Sequence, residues 1–284
     1  MNFCDAHNHL GAPALGPHLP AILPALTAAG VTHVVVNGTE EADWPAVATL
    51  AASPPAHPPL LHLTPSYGLH PWDTGNRSPA WLKTLRYYLE ADPRAALGEI
   101  GLDRWMLDRA RPDDPRLAGL RRAPLEEQQD VFQTQLALAV TLNRPVTIHC
   151  IDAFGLLLET LQSIPLPPRG FLLHAYSGSI ELVAPFAALG AYFSFNGAYL
   201  APRHERLRTL FQNIPPERLL IETDSPAMLA PPAHAPHTLA TAPELNHPAN
   251  LAATYAALAS LREVSLTSLT AQVARNYRHL FLRA

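Results

Sequence analysis

The stretch PLEEQQDVFQTQLALAVTLNRPVTIHC, residues 124–150, holds two periodicities back to back. Pro124 near its start, Glu126 and Glu127 in the first turn, and a stripe of Val131, Phe132, Leu136 and Ala139 or Val140 predict an amphipathic helix over 124–143. RPVTIHC at 144–150 follows at once and predicts a buried strand with a histidine at its end. A helix feeding straight into a buried strand is half of a βαβ unit, so the question is whether the pattern repeats.

It does. Apolar, β-branched runs recur at NFCDAH, THVVVNG (32–38), PLLHLTPSYG (59–68), AALGEIG (95–101), RGFLLHA (169–175), GAYFSFNG (190–197) and RLLIETD (218–224). With 144–150 they make eight, separated by helical stretches, and further helices are expected near 248–261 and 266–281. This rhythm predicts an α/β fold, a parallel (β/α)8 TIM barrel of one domain over residues 1–284, ahead of a doubly wound open sheet. The segments 108–124 and 227–248 read as long loops leaving C-terminal strand ends, where a barrel builds its active site, and ASPPAHPP at 52–59 as a turn at the opposite end.

Composition narrows the class. Hydrophobic residues make up 48% of the chain against 15% charged, which excludes a disordered protein. No apolar run approaches the about 20 residues that cross a bilayer, and the first strand begins too early for a signal peptide, so a cytosolic protein without membrane attachment is expected. Cys4 and Cys150 are expected to be buried free thiols. A net charge of −4, with Lys83 the only lysine beside nineteen arginines, lacks the basic footprint of a protein that grips long nucleic acid. No heptad or exposed edge points to a protein partner.

Chemistry gathers on the strand ends. In DAHNHL, residues 5–10, strand alternation sends Asp5, His7 and His9 to one face, where a divalent cation would offset their desolvation; a solvated edge strand would also suit the hexapeptide. Glu99 sits inside the fourth strand, His149 and His174 end the fifth and sixth, and Asp224 follows the eighth. Each alone has a structural explanation, but in a barrel His7, His9, Glu99, His149, His174 and Asp224 open at one mouth, the pattern of a binuclear metal site. The remaining histidines, among them His18, His33, His57, His204 and His237, are read as surface groups, and His62 as able to face the pore.

The series DAHNHL, GLHPW, GEIGLD, IHC, HAYSGS, ETDSP and NHPANL, in order from residue 5 onward, resembles the TatD family of metal-dependent hydrolases within the amidohydrolase-like barrels. The resemblance implies a distorted TIM barrel, two divalent ions (zinc, manganese or magnesium) and hydrolysis of phosphodiesters in DNA, single-stranded or at ends. By position, His7 and His9 would bind one ion, His149 and His174 the other, Glu99 would bridge, and Asp224 would bind the first and take a proton from water. His70 would orient substrate or a ligand. The carbamylated lysine that bridges many related barrels is unavailable, because Lys83 lies in the helical PAWLKTLRYYLE.

Two departures bear on substrate. Ile151 stands where the family commonly has an arginine, and TAPELNHP carries Glu244 and His247 where basic residues and Asn-Glu-Pro are usual. Arg104 and Trp105, after GLD, are a candidate replacement, a guanidinium for phosphate and a ring for a base, but the arginine-rich loop reads more readily as a solvated face. The alternative is a small-molecule amidohydrolase or esterase acting on a phosphorylated or amide substrate with the same two metals.

Overall fold

The computed structural model describes residues 1–52 and 61–282. His57 and all of the expected 52–59 turn except Ala52 lie outside the described residues. Strands β1 (Phe3–Asn8), β2 (Val31–Asn37), β3 (His62–Tyr67), β4 (Ala96–Asp103), β5 (Val146–Ile151), β6 (Phe171–Leu173), β7 (Ala191–Asn196) and β8 (Leu219–Glu222) pair in parallel in chain order. Helices α1 (Leu19–Ala28), α2 (Trp44–Ala52), α3 (Trp81–Ala91), α4 (Trp105–Asp108), α5 (Leu125–Leu142), α6 (Phe154–Gln162), α7 (Val183–Ala188) and α8 (Glu205–Asn213) fall between strands. Helices α9 (Leu251–Leu261) and α10 (Leu266–Phe281) follow β8. The architecture is a nearly closed (β/α)8 barrel, as the rhythm of the sequence requires.

Helix α5 shows how the sequence makes these units. Glu126 and Glu127 complement its N-terminal dipole, and Asn143, at φ 50°, supplies the left-handed residue that ends it. Its buried face contains the expected Val131, Phe132, Leu136 and Ala139, each large side chain contributing roughly 1.5–3 kcal/mol. Leu138 and two glutamines, Gln128 and Gln135, are buried with them, whereas Val140 is only half-buried.

The distortion lies at the seam between β8 and β1, where no regular ladder forms among the described residues. Two backbone bonds cross it from just past the end of β8, Asp224 N to His7 O (3.1 Å) and His9 N to Ser225 O (2.8 Å). The Asp5 carboxylate also spans it, accepting from Thr223 N (3.0 Å) and Thr223 Oγ1 (2.6 Å). Buried backbone groups left without strand partners need other ones. On the β1 side the Tyr255 hydroxyl of α9 accepts from Cys4 N and donates to Cys4 O; on the β8 side Asn276 of α10 donates to Leu219 O. Cys4 and Cys150 are buried and unpaired.

The 108–124 segment is more ordered than a plain loop. It continues from α4 through a 3-10 turn at Pro115–Leu117 and closes on a small core of Met106, Ala110 and Leu117, with Trp72 and Trp105 packed against it. Arg122 belongs to this scaffold, donating to Met106 O and Ala110 O at 3.0 Å each. No described helix is long and apolar enough to cross a membrane.

At Gly101, β4 approaches β5 too closely to admit a side chain. The Gly101 φ is 152°, and a Cβ there would sit 1.9 Å from His149 O. Gly101→Ala is expected to destabilise the protein by on the order of 3 kcal/mol, while Gly155→Ala in α6, where a methyl meets nothing within 4 Å, should stabilise it by about 0.5 kcal/mol. Chemical denaturation of both variants checks the pair.

Candidate metal centre

The ladders break where the expected ligands stand. Register between β1 and β2 shifts between Asp5 and Asn8, around His7, and register between β4 and β5 shifts between Leu97 and Ile100, around Glu99. Such irregularities re-aim side chains. The Glu99 amide leaves the neighbouring strands and donates to Gly38 O at 3.0 Å, just beyond β2, and the residue is 3% exposed within the barrel.

Around Glu99 the side chains divide by carboxylate oxygen. Oε2 lies 3.3 Å from His7 Nε2 and 3.2 Å from His9 Nε2. Those imidazoles are 3.1 Å apart and lie 3.5 Å and 3.3 Å from Asp224 Oδ1. Donors about 2.0 Å from one ion at tetrahedral angles would be separated by about 3.3 Å, so the three donors of His7, His9 and Asp224, 3.1–3.5 Å apart, suit a small divalent cation. Oε1 lies 2.9 Å from His149 Nδ1, 2.8 Å from His174 Nε2 and 3.3 Å from His70 Nε2. The donors thus form groups of His7, His9 and Asp224, of His7, Glu99 and His174, and of His70, Glu99 and His149 that could hold metal ions.

His70, expected to orient substrate or a ligand, lies against Glu99 and beside His149 at a ring separation of 4.4 Å. Its Nδ1 accepts from Trp72 N at 3.2 Å, which leaves the proton on Nε2 in the neutral ring. Asp5 turns away from the donors to the β8 loop, and burial pushes its carboxyl up to about 7 despite its bonds from Thr223 and Asn8.

A supporting layer went unread in the sequence. Asp103 Oδ2 holds His149 Nε2 at 3.2 Å and accepts from Trp72 Nε1 at 2.6 Å, while its Oδ1 accepts from Met106 N at 2.9 Å. Glu222, bonded by Ser194, lies 3.7 Å from His174 Nδ1, and Asn37 O takes His9 Nδ1 at 3.1 Å. The two buried glutamines of α5 grip strand ends: Gln128 exchanges bonds with the Asp103 backbone, N at 2.8 Å and O at 3.1 Å, and Gln135 with Leu69, 2.7 and 3.0 Å. GLD, HPW and the seven-residue spacing of the two glutamines were the available signals.

Without a cation, protons hold the cluster together. Burial would depress His9, but Asp224 and Glu99 against it raise it to about 10; His174 is raised likewise over its burial by Glu99 and Glu222. Burial opposes charge on Glu99, yet His174, His70 and His7 keep it well below the usual carboxylate range, and Asp224 is lowered over its burial by His7 and His9. Negative charge is surrounded by donors that a divalent ion could replace.

These groups open onto a cavity of about 960 Å³. Trp72, Trp105 and Arg116 line it, as do Ile151, Tyr199 and His204. Arg104 does not: its side chain is 48% exposed and lies 4.0 Å from Asp108. Arg116 stands instead over the Trp105 ring, 4.4 Å from its centroid, with Asp114 bonded to its guanidinium. His62 is exposed and stacks on His33, away from the cavity, whereas His204 is on the cavity wall.

An eight-stranded parallel barrel carrying imidazoles and carboxylates at its C-terminal mouth is the signature of the metal-dependent hydrolase barrels. The chain belongs to the TatD family, matching TatD related DNase over residues 4–282. It is 32% identical over 228 residues, 80% of each chain, to the uncharacterized metal-dependent hydrolase YjjV of Escherichia coli K12. It is also 35% identical over 222 residues, 75% of each, to the 3'-5' ssDNA/RNA exonuclease TatD of Klebsiella pneumoniae. The crystal structure of the Escherichia coli YjjV protein, at 29% identity, superposes with a TM-score of 0.82 over 99% of this chain and 98% of that one. A TatD family hydrolase from Entamoeba histolytica shares the fold at TM-score 0.80 and 19% identity.

Asp103→Asn should weaken divalent metal binding about 10- to 100-fold, because His149 loses its anionic partner. Since the metal-free His9 and His174 are raised and a ligand imidazole must be neutral, binding should release protons and strengthen as pH rises from about 6 to 8. Calorimetric zinc titrations in two buffers of different ionisation enthalpy measure both effects.

Proposed function

We propose that this protein is a two-metal hydrolase of phosphodiester bonds, acting at DNA ends or on short single strands in the cytosol. The observation that carries it is the division of Glu99, with one oxygen toward His7, His9 and Asp224 and the other toward His149 and His174. The names of its relatives, among them 3'-5' ssDNA/RNA exonucleases, support the substrate class, and the unpaired Cys4 and Cys150 suit a reducing compartment.

His7, His9 and Asp224 would hold one ion, His149 and His174 the second, with Glu99 shared. Zinc, manganese or magnesium there would supply a hydroxide at neutral pH and neutralise charge on the attacked phosphate. Asp224, buried to 9% exposure on the cavity wall, takes the proton from the attacking water. His70 presents its Nε2 proton toward the Glu99 side of the cavity, where a non-bridging phosphate oxygen can accept it. Asp103 keeps the His149 ring in place, and Trp72 and Trp105 give a base an aromatic wall.

Ile151 on the cavity wall favours a second reading, a small-molecule amidohydrolase or esterase on the same metals. A panel of single-stranded DNA, duplex DNA, aryl esters and amides, run with zinc, manganese and magnesium, separates the two. Release of nucleotides that disappears in Glu99→Ala supports nuclease action; turnover confined to esters or amides rejects it.

Asp224→Asn should lower kcat by roughly 10²- to 10⁴-fold with KM and metal content close to those of the parent. Near-normal turnover would remove Asp224 from proton transfer. Glu99→Ala should instead lose bound metal, read by elemental analysis of the purified protein.

A further inference from the structure

His204, expected at the surface, lies on the cavity wall in the 3-10 turn Pro202–His204 between β7 and α8. Its ring meets that of Tyr199 edge-on at a centroid distance of 5.9 Å. The Tyr199 hydroxyl in turn donates to the carbonyl of Ala175, the residue after His174. Tyr199 therefore spans the wall from the metal-binding donors to His204, and the imidazole stands one aromatic side chain beyond them. His204 has no part in the donor groups around Glu99.

Hydrogen bonding fixes which nitrogen of this ring carries the proton. Arg203 Nε donates to His204 Nε2 at 3.1 Å, so the neutral ring is protonated on Nδ1, which has no hydrogen-bond partner among the described residues. Burial, Arg203 and Arg208 all hold the imidazole below its ordinary value, which keeps it neutral. A guanidinium on Nε2 polarises the ring toward donation at Nδ1. Behind the same wall Arg208 donates to Tyr199 O at 3.3 Å, and Arg206 to Ser177 O and Gly178 O at 2.8 Å each. None of Arg203, Arg206 and Arg208 forms a salt bridge among the described residues, so their charge is not cancelled locally. Elsewhere on the wall Arg116 is paired with Asp114, and Ile151 has no donor to offer.

On the nuclease assignment above, on which this inference rests, the diester to be cut lies at the donor cluster and the substrate carries a further phosphate one nucleotide along. We infer that the His204 Nδ1–H binds that second phosphate, with Arg203 behind the ring. A phosphate oxygen accepting there makes a charge-assisted contact, yet no free cation has to be desolvated on the cavity wall to provide it. The contact reads the backbone and no base edge, so it favours any substrate with two successive phosphates over one with a single diester.

Metal-loaded full-length protein is assayed on the thymidine dinucleotide, with a single phosphate, and on the trinucleotide, which carries a second. The parent should show a KM for the trinucleotide about tenfold below that for the dinucleotide, the share of one hydrogen bond to a charged acceptor. His204→Ala and His204→Phe, the latter keeping a ring against Tyr199, should bring the two KM values to within about twofold of each other. His204→Asn, whose amide presents an N–H close to the place of Nδ1, should restore a difference of about threefold or more. A His204→Phe protein that keeps the parent's ratio shows that the ring acts by packing alone and overturns the phosphate contact. So does failure of His204→Asn to separate the two substrates, or a parent without preference for the trinucleotide, and in each of these cases the nuclease assignment stands. A parent that cleaves neither nucleotide removes that assignment and this inference with it.

Discussion

One carboxylate organises the protein. Glu99 is buried in the barrel with five imidazole nitrogens within 3.3 Å, from His7, His9, His70, His149 and His174. An ionised carboxylate in such a place is costly unless opposite charge surrounds it. The protein meets that cost by bringing strands from four parts of the chain to one point. The breaks in the β1 and β4 ladders follow, because regular pairing would aim His7 and Glu99 elsewhere.

Support for the donors extends outward in layers. Asp103 fixes His149, Trp72 and Met106 fix Asp103, and Gln128 of α5 fixes the backbone beneath. Two turns further along α5, Gln135 does the same for Leu69, one residue before His70. A single helix thereby holds two neighbouring strand ends at a set spacing. The aromatic wall of the cavity shares this framework, since Trp72 bonds Asp103 and packs on the small core of the 108–124 segment.

Much of this was legible in the sequence for a physical reason: strand alternation and the barrel rule together assign side chains to one mouth. The fold, the boundaries of α5 and α10, and the gathering of His7, His9, Glu99, His149, His174 and Asp224 all follow from periodicity. What escaped has no period. Gln128 and Gln135 look like the solvent face of a helix until the strand ends they bind are in place. Glu222 is one residue of a buried strand, with nothing local to mark it as the partner of His174. Which arginine of the 104–122 region turns inward depends on the fold of a non-repeating segment, and it is Arg116 that lines the cavity, not Arg104.

The β1–β8 seam has a consequence for how the polypeptide matures. Asp5 and Thr223 are 218 positions apart, yet their contacts hold His7, His9 and Asp224 in register. During synthesis β1 emerges with its polar groups unmatched and waits until the 218 positions that separate Asp5 from Thr223 have followed. Its two imidazoles therefore stand apart from Glu99 and Asp224 until the later strands have joined. The donor cluster is complete only at the last stage of assembly, when α9 and α10 clamp Cys4 and Leu219 and lock the two edges together.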